Sequence, residues 1–226
     1  MWYQRIALYL SLLFVLLPGL SSCVDKDQRG QKRQKMKIVC LGDSITYGHK
    51  LVDPARESYP ARLRQLAHGR WQVLNLGING ATVLGKGDIP IIKQEVYNQA
   101  LHANPDFVVI MLGTNDTKNV NWKYLQEFEK DYRAMITDLR SQPSRPHLIL
   151  CSIPPILIDY PNGLKAARQQ QVNMLLRRVA AQAGVDYLDI SATMANMPSF
   201  FVDGIHPNGL GAKQIAALVF SQISSL

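Results

Sequence analysis

Residues Val39 to Gly48 read VCLGDSITYG. The run opens apolar, in the manner of a buried strand, and breaks at Gly42. It then offers Asp43 and Ser44 on a bend of small residues that closes at Gly48. A loop needs polar residues, so the stretch has a plain reading. It also has a chemical one. A serine hydroxyl is a weak nucleophile, and a protein that uses one holds it up on a tight turn where a base can reach it.

The same alternation of apolar run and turn recurs downstream. MKIVCL is a first strand, WQVLNL a second, DFVVIML a third, HLILCSI a fourth and VDYLDI a fifth. Helical periodicity lies between them. SYPARLRQLAH places Tyr59, Leu63, Leu66 and Ala67 on one face, and a second helix is expected over Ile92 to Ala103. A long amphipathic helix is expected over Trp122 to Arg140, with Leu125, Phe128, Tyr132, Met135, Ile136 and Leu139 as its stripe. Lys165 to Ala183 reads as a helix stopped by Gly184, and Pro207 reads as the first turn of a last helix.

Five strands alternating with helices predict an α/β fold with a parallel sheet covered on both faces. With right-handed crossovers the simplest solution is a three-layer α/β/α sandwich, flavodoxin-like, with five strands in the order 2-1-3-4-5. That order puts a ligand beyond the carboxyl ends of strands 1 and 3, where the winding reverses. The loops there are GDSITYG and GTND. It also separates Cys40 and Cys151 by an intervening strand, about 9–10 Å. That is beyond the roughly 7 Å reach of a disulfide, so both are expected as buried free thiols.

The 226 residues suffice for one such domain, and 47% apolar with 19% charged residues suit a globular chain. Residues 1–22 stand apart. Arg5 precedes an apolar core from Ile6 to Leu17 and then Pro18-Gly19, the layout of a secretory signal and too short to span a bilayer comfortably. Its end, LSSC, resembles the lipobox of bacterial lipoproteins, which implies cleavage before Cys23 and lipidation of that cysteine. The plainer reading is an ordinary cleaved signal with an incidental cysteine. Val24 in place of Asp after the cysteine points, on that resemblance, to the outer membrane, so an exported lipoprotein of the cell envelope is expected. Residues 23–36 read as a lipidated cysteine and polar tether, with the domain proper at 37–226. Val24 to Lys37 holds six basic and two acidic residues, much of the formal net charge of +8. The body is therefore only mildly basic, which argues against a nucleic-acid partner. A basic tether suits anionic headgroups, with the membrane as partner. His49, His68, His102, His147 and His206 show no metal-ligand spacing, and neither metal nor cofactor is expected.

FVDGIHPNG supplies what Ser44 lacks. Asp203 and His206, three residues apart on one turn, let a carboxylate reach Nδ1 of an imidazole and leave Nε2 free for a serine. NLGINGAT after strand 2 offers Gly77 and Gly80, and LGTND after strand 3 offers the amide of Asn115, as donors for an oxyanion. Asp43 and Asp116 read as turn-holding carboxylates. Thr82 reads as either a loop hydrogen-bonder or a substrate contact, and Trp122 as either core or a sugar-stacking aromatic at the rim. Tyr59 reads as packing for the first helix.

These four blocks, GDS, INGAT, GTND and DGIH, in this order, resemble those of the SGNH hydrolase superfamily, the GDSL esterases, over Lys37 to the C-terminus. The resemblance implies Ser44 as nucleophile, Asp203 and His206 as its partners, and an oxyanion hole of Ser44, Gly80 and Asn115, with Gly80 aligning better than Gly77. Ile45 replaces the leucine of the name motif. NGATVLGKGDIP with LGTNDTKNVNW is similar to carbohydrate-active members, the acetylxylan and sialate O-acetylesterases. This implies a serine esterase acting on small acyl esters of a glycan. The alternatives are a lysophospholipase or thioesterase taking longer acyl chains and, from another class, a catalytically dead glycan-binding lipoprotein.

Overall fold

Three of the five strands are apolar along most of their length because the sheet they form is covered twice. β1 (Met36–Gly42), β3 (Phe107–Met111) and β4 (His147–Cys151) are buried along most of their length. β2 (Trp71–Gly77) and β5 (Asp186–Leu188) are the edges, and β2 alternates buried Trp71, Val73 and Leu76 with more exposed Gln72 and Asn75. All pairs are parallel, in the order β2-β1-β3-β4-β5. This is the α/β fold and strand order that the sequence predicts. The computed structural model describes residues 35–226. The signal, Cys23 and nearly all of the tether fall outside the described residues, and β1 starts at Met36, one residue before the expected domain edge.

Nine helices accompany the sheet among the described residues: α1 (Ser44–Tyr47), α2 (Pro54–Glu57), α3 (Tyr59–Leu66), α4 (Glu95–His102), α5 (Asn119–Trp122), α6 (Phe128–Arg140), α7 (Ala166–Ala183), α8 (Ile190–Met194) and α9 (Gly209–Ser224). Successive side chains of a strand point to opposite faces, so the core is double. Val39, Leu41, Val108, Ile110, Leu148 and Leu150 face α4, α6 and α7. Ile38, Cys40, Val109, Met111, Ile149 and Cys151 face α3, α8 and α9. Each large side chain buried in these layers contributes about 1.5–3 kcal/mol relative to exposure. Cys40 and Cys151 lie in the second layer with β3 between their strands, and both are free. Burial pushes the Cys40 thiol up to about 12, despite a hydrogen bond with Tyr59, which leaves it inert near neutrality.

Three expected helices differ in extent. The one expected over Trp122 to Arg140 is interrupted. α5 ends at Trp122, Tyr124 leaves helical geometry, and a 3₁₀ turn (Leu125–Glu127) precedes α6. The cause is Asn121, fully buried, whose amide bonds Asp88 and the Asn115 carbonyl. Those tertiary bonds fix α5 independently of α6, overriding propensity. The helix expected over Ile92 to Ala103 breaks at Gln94, which is extended, leaving a 3₁₀ turn (Ile91–Lys93) before α4. Pro207 is not in α9. Asn208 caps that helix by accepting from the Leu210 and Gly211 N–H groups, and Pro207 pairs with Phe201 outside it.

Candidate active site

The loops that leave β1, β2 and β3, together with the one before α9, meet at the carboxyl edge of the sheet. Ser44 is the first residue of α1. Asp43 caps that single turn, accepting the Ile45 N–H at Oδ1 over 2.9 Å. The N–H groups of Gly48 and His49 close on the Ser44 carbonyl at 3.0 and 2.9 Å. Asp43 is wholly buried, and burial pushes its carboxyl up to about 6 against the pull of the Ile45 bond. The turn therefore depends on backbone and on Asp43, and leaves the Ser44 hydroxyl uncommitted.

That hydroxyl meets His206, 162 residues further along the chain. Ser44 Oγ lies 3.0 Å from His206 Nε2, and His206 Nδ1 lies 2.8 Å from Asp203 Oδ2. The two oxygens of Asp203 divide their partners. Oδ1 accepts the N–H of Ile205 at 3.1 Å and of His206 at 2.8 Å, which folds the turn, while Oδ2 holds the ring. Burial alone would raise the Asp203 carboxyl, but the bonds from the His206 backbone and ring and from Ile205 outweigh it and hold it below the ordinary carboxylate range. An ionised Oδ2 accepts a hydrogen bond from Nδ1–H, which leaves Nε2 as the acceptor facing Ser44.

The expected hydrogen-bond donors lie on the neighbouring loops. Ile78 N–H bonds the Gly42 carbonyl at 3.0 Å, tying the loop after β2 to the serine turn. Gly80 has φ of +83°, a conformation an L side chain rarely adopts. Its N–H finds no acceptor among the described residues. The N–H of Ser44, at the first position of a helix, has no intrahelical partner. The Gly77 N–H is taken by Asn75 Oδ1 at 3.1 Å, which removes it as a donor. Asn115 gives one Nδ2 hydrogen to the Ala81 carbonyl at 3.1 Å and keeps the other. Beneath it, Asp116 accepts the N–H groups of Val83 and Leu84 at 3.2 and 2.9 Å, with burial pushing its carboxyl up to about 7. Both buried aspartates hold turns, as expected.

Two candidate contacts are engaged by other partners. Thr82 is fully buried, its hydroxyl donates to the Leu84 carbonyl at 3.1 Å, and its backbone pairs with the Pro90 strand-like bridge. It holds its loop and has no surface to offer a substrate. Trp122 is half-buried against the first core layer, and the Arg168 guanidinium sits over its ring, 4.6 Å from the centroid. One face of the indole is thus covered by Arg168. A residue that the sequence reasoning passed over is His49, whose ring meets that of His206 edge-on, centroids 4.8 Å apart. Its only sequence signal was its place five residues after Ser44. Burial lowers its basicity, and the charge of His206 adds to this.

Residues 40–214 match the model of the GDSL-like Lipase/Acylhydrolase family. The chain belongs to the GDSL-like lipase/acylhydrolase family. This family member is 34% identical over 210 residues to an acetylxylan esterase of Xylanibacter ruminicola, in an alignment covering 85% of the present chain and 44% of that protein. The chain thus spans under half the length of that relative. Two solved structures share the fold. The native aryl esterase of M. smegmatis superposes with TM-score 0.68 at 20% identity, covering 84% of this chain and 99% of that one. A carbohydrate acetylesterase from Sinorhizobium meliloti superposes with TM-score 0.68 at 16% identity, with the same coverage.

Proposed function

We propose that this GDSL-like family member is a serine esterase that removes small acyl groups, acetyl foremost, from carbohydrates through an acyl-enzyme on Ser44. The observation that carries the reading is the unbroken relay from Asp203 Oδ2 through the His206 ring to Ser44 Oγ, at 2.8 and 3.0 Å. In this reading His206 Nε2 takes the hydroxyl proton as Oγ attacks the ester carbonyl. The carbonyl oxygen, now negative, is received by the Ser44 and Gly80 N–H groups and the free Nδ2 hydrogen of Asn115. The imidazolium returns the proton to the departing alcohol. Water then adds to the acyl-enzyme, gives its proton to Nε2, and releases the acid and Ser44.

The acetyl preference is supported by the relative's name. A long acyl tail needs an apolar channel to bury it, whereas an acetyl group on a bulky polymer needs none. A series of p-nitrophenyl esters, read beside acetate release from acetylated glycans, tests this. kcat/KM is expected to peak at two carbons and to fall about tenfold or more by eight. A maximum beyond eight carbons would instead establish the long-chain alternative.

We also propose export and lipid attachment at Cys23, on the apolar core from Ile6 to Leu17 and the small residues before the cysteine. An alkyne-bearing fatty acid fed to producing bacteria is expected to label the wild-type protein and not Cys23→Ala. Equal labelling of the two would refute it.

A further inference from the structure

The acid–base turn and the Asn115 loop come from opposite parts of the sequence, and a third segment holds both. Residues 156–164 run across the carboxyl edge after β4. At one end the segment grips the turn that carries Asp203 and His206. The Tyr160 hydroxyl donates to the Asp203 carbonyl at 2.6 Å, and the Leu157 N–H donates to the Gly204 carbonyl at 2.8 Å. Ile158 packs directly on Gly204, whose φ of +79° and lack of a side chain let it do so. Ile156, Leu164 and Ile205 bury one another beside Tyr160, in a small cluster apart from the two core layers.

At its other end the same segment grips the loop that carries Asn115. The Asn119 N–H donates to the Asn162 carbonyl at 2.7 Å, and Asn119 Nδ2 donates to the Pro161 carbonyl at 3.1 Å. Arg168 Nη1 then bonds the Thr117 carbonyl at 2.7 Å and Asn119 Oδ1 at 2.9 Å, with its guanidinium resting on Trp122. Each of these contacts is to backbone or to a neighbouring loop, and none is to the reacting atoms.

We propose that residues 156–164 are a strap that sets the acid–base turn against the Asn115 loop, with Tyr160 as the positioning residue of the Asp203–His206 pair. The proposal rests on the catalytic reading of Ser44 and His206. Asp203 and His206 ride on a turn that bonds within itself through Asp203 Oδ1. Such a turn keeps its shape but can pivot as a unit. The Tyr160 hydroxyl pins the carbonyl of its first residue, and the Leu157 N–H pins the next. A pivot of a fraction of an ångström moves Nε2 away from Oγ without touching the surface where a substrate rests, so the strap acts on turnover and not on binding.

Tyr160→Phe deletes the hydroxyl and keeps the packed ring. Assayed on an acetyl ester well below its melting midpoint, it is expected to lower kcat about tenfold with KM unchanged. Its rate of labelling by an organophosphonate should fall by the same factor. Ile158→Ala, which trims an exposed side chain that packs on Gly204, is expected to act in the same direction and provides the reading if the first variant does not fold. Both effects must vanish in a His206→Ala background, where no imidazole is left to position. An unchanged kcat in both variants overturns the strap, and so does an equal further loss in the His206→Ala background. If His206→Ala or Ser44→Ala themselves leave hydrolysis intact, the catalytic reading fails first and the strap with it.

Discussion

Ser44→Ala is expected to lower kcat/KM for acetyl esters by about 10⁵–10⁶-fold, the scale on which a triad nucleophile acts. The expectation is sharp because the substitution removes little else. The turn that carries Ser44 is held by the Asp43 side chain on the Ile45 N–H and by the Gly48 and His49 N–H groups on the Ser44 carbonyl, none of which involves Oγ. Among the described residues the hydroxyl's sole partner is His206 Nε2, at 3.0 Å, and a single hydrogen bond of this kind contributes about 1 kcal/mol to stability. The melting midpoint should therefore hardly move while turnover collapses. Adding His206→Ala to Ser44→Ala should lower the rate little further, since the two act as one unit. Near-full hydrolysis by the alanine variant would remove Ser44 as nucleophile. An inert wild-type protein with this geometry intact would favour the glycan-binding alternative.

How much of this was legible in the sequence depends on the range of the interactions. The sheet was legible because β1, β3 and β4 are buried on both faces, which forces continuous apolar runs ended by turn residues. The meeting of Ser44 with the Asp203–His206 turn was legible because both lie on loops at the same edge of the sheet, so strand order brings them near. The 3.0 Å approach of Ser44 to His206 is a tertiary consequence of that order. The break before α6 was not legible. It depends on Asn121 reaching Asp88, 33 residues away, which no local periodicity encodes. Thr82 was open between two readings, and burial removed one of them. Trp122 was open between core and rim, and nothing in its sequence neighbourhood hints that Arg168, far along the chain, lies upon its ring. The strap was the least visible. PPILIDYPNGL is rich in proline and apolar residues without a period, and it reads as a connection between β4 and α7. Its meaning lies in a tyrosine hydroxyl and a carbonyl 43 residues apart.

Asp203→Asn is expected to cost about 10⁴-fold in kcat/KM, although it changes one atom and little of the shape. The amide oxygen can stand in for Oδ1 and keep accepting the N–H groups of Ile205 and His206 at 3.1 and 2.8 Å, so the turn should persist. What then faces His206 Nδ1 is an NH₂ group where Oδ2 stood at 2.8 Å. Two donors cannot pair, so Nδ1 must accept and the ring proton moves to Nε2. That nitrogen can no longer take the Ser44 proton, and the imidazolium that forms during attack loses its counter-charge. The pH dependence separates this account from a loss of packing. In the wild-type protein the Asp203 carboxyl lies below the ordinary carboxylate value, so it stays ionised through the weakly acidic range and its titration does not limit the rate there. A depressed acid stabilises the fold when charged. That contribution is complete above the unfolded carboxylate value and is lost as pH falls through the lowered folded one. The asparagine variant lacks this titration, so its stability should change less with pH across that window than the wild-type protein's. Its hydrolysis should be low at every pH where imidazole is neutral. Thermal melts and rate profiles from pH 3 to 8 read both. A variant that keeps more than a tenth of wild-type hydrolysis, with the turn intact, would mean that the Asp203 contact orients His206 without setting which nitrogen carries its proton.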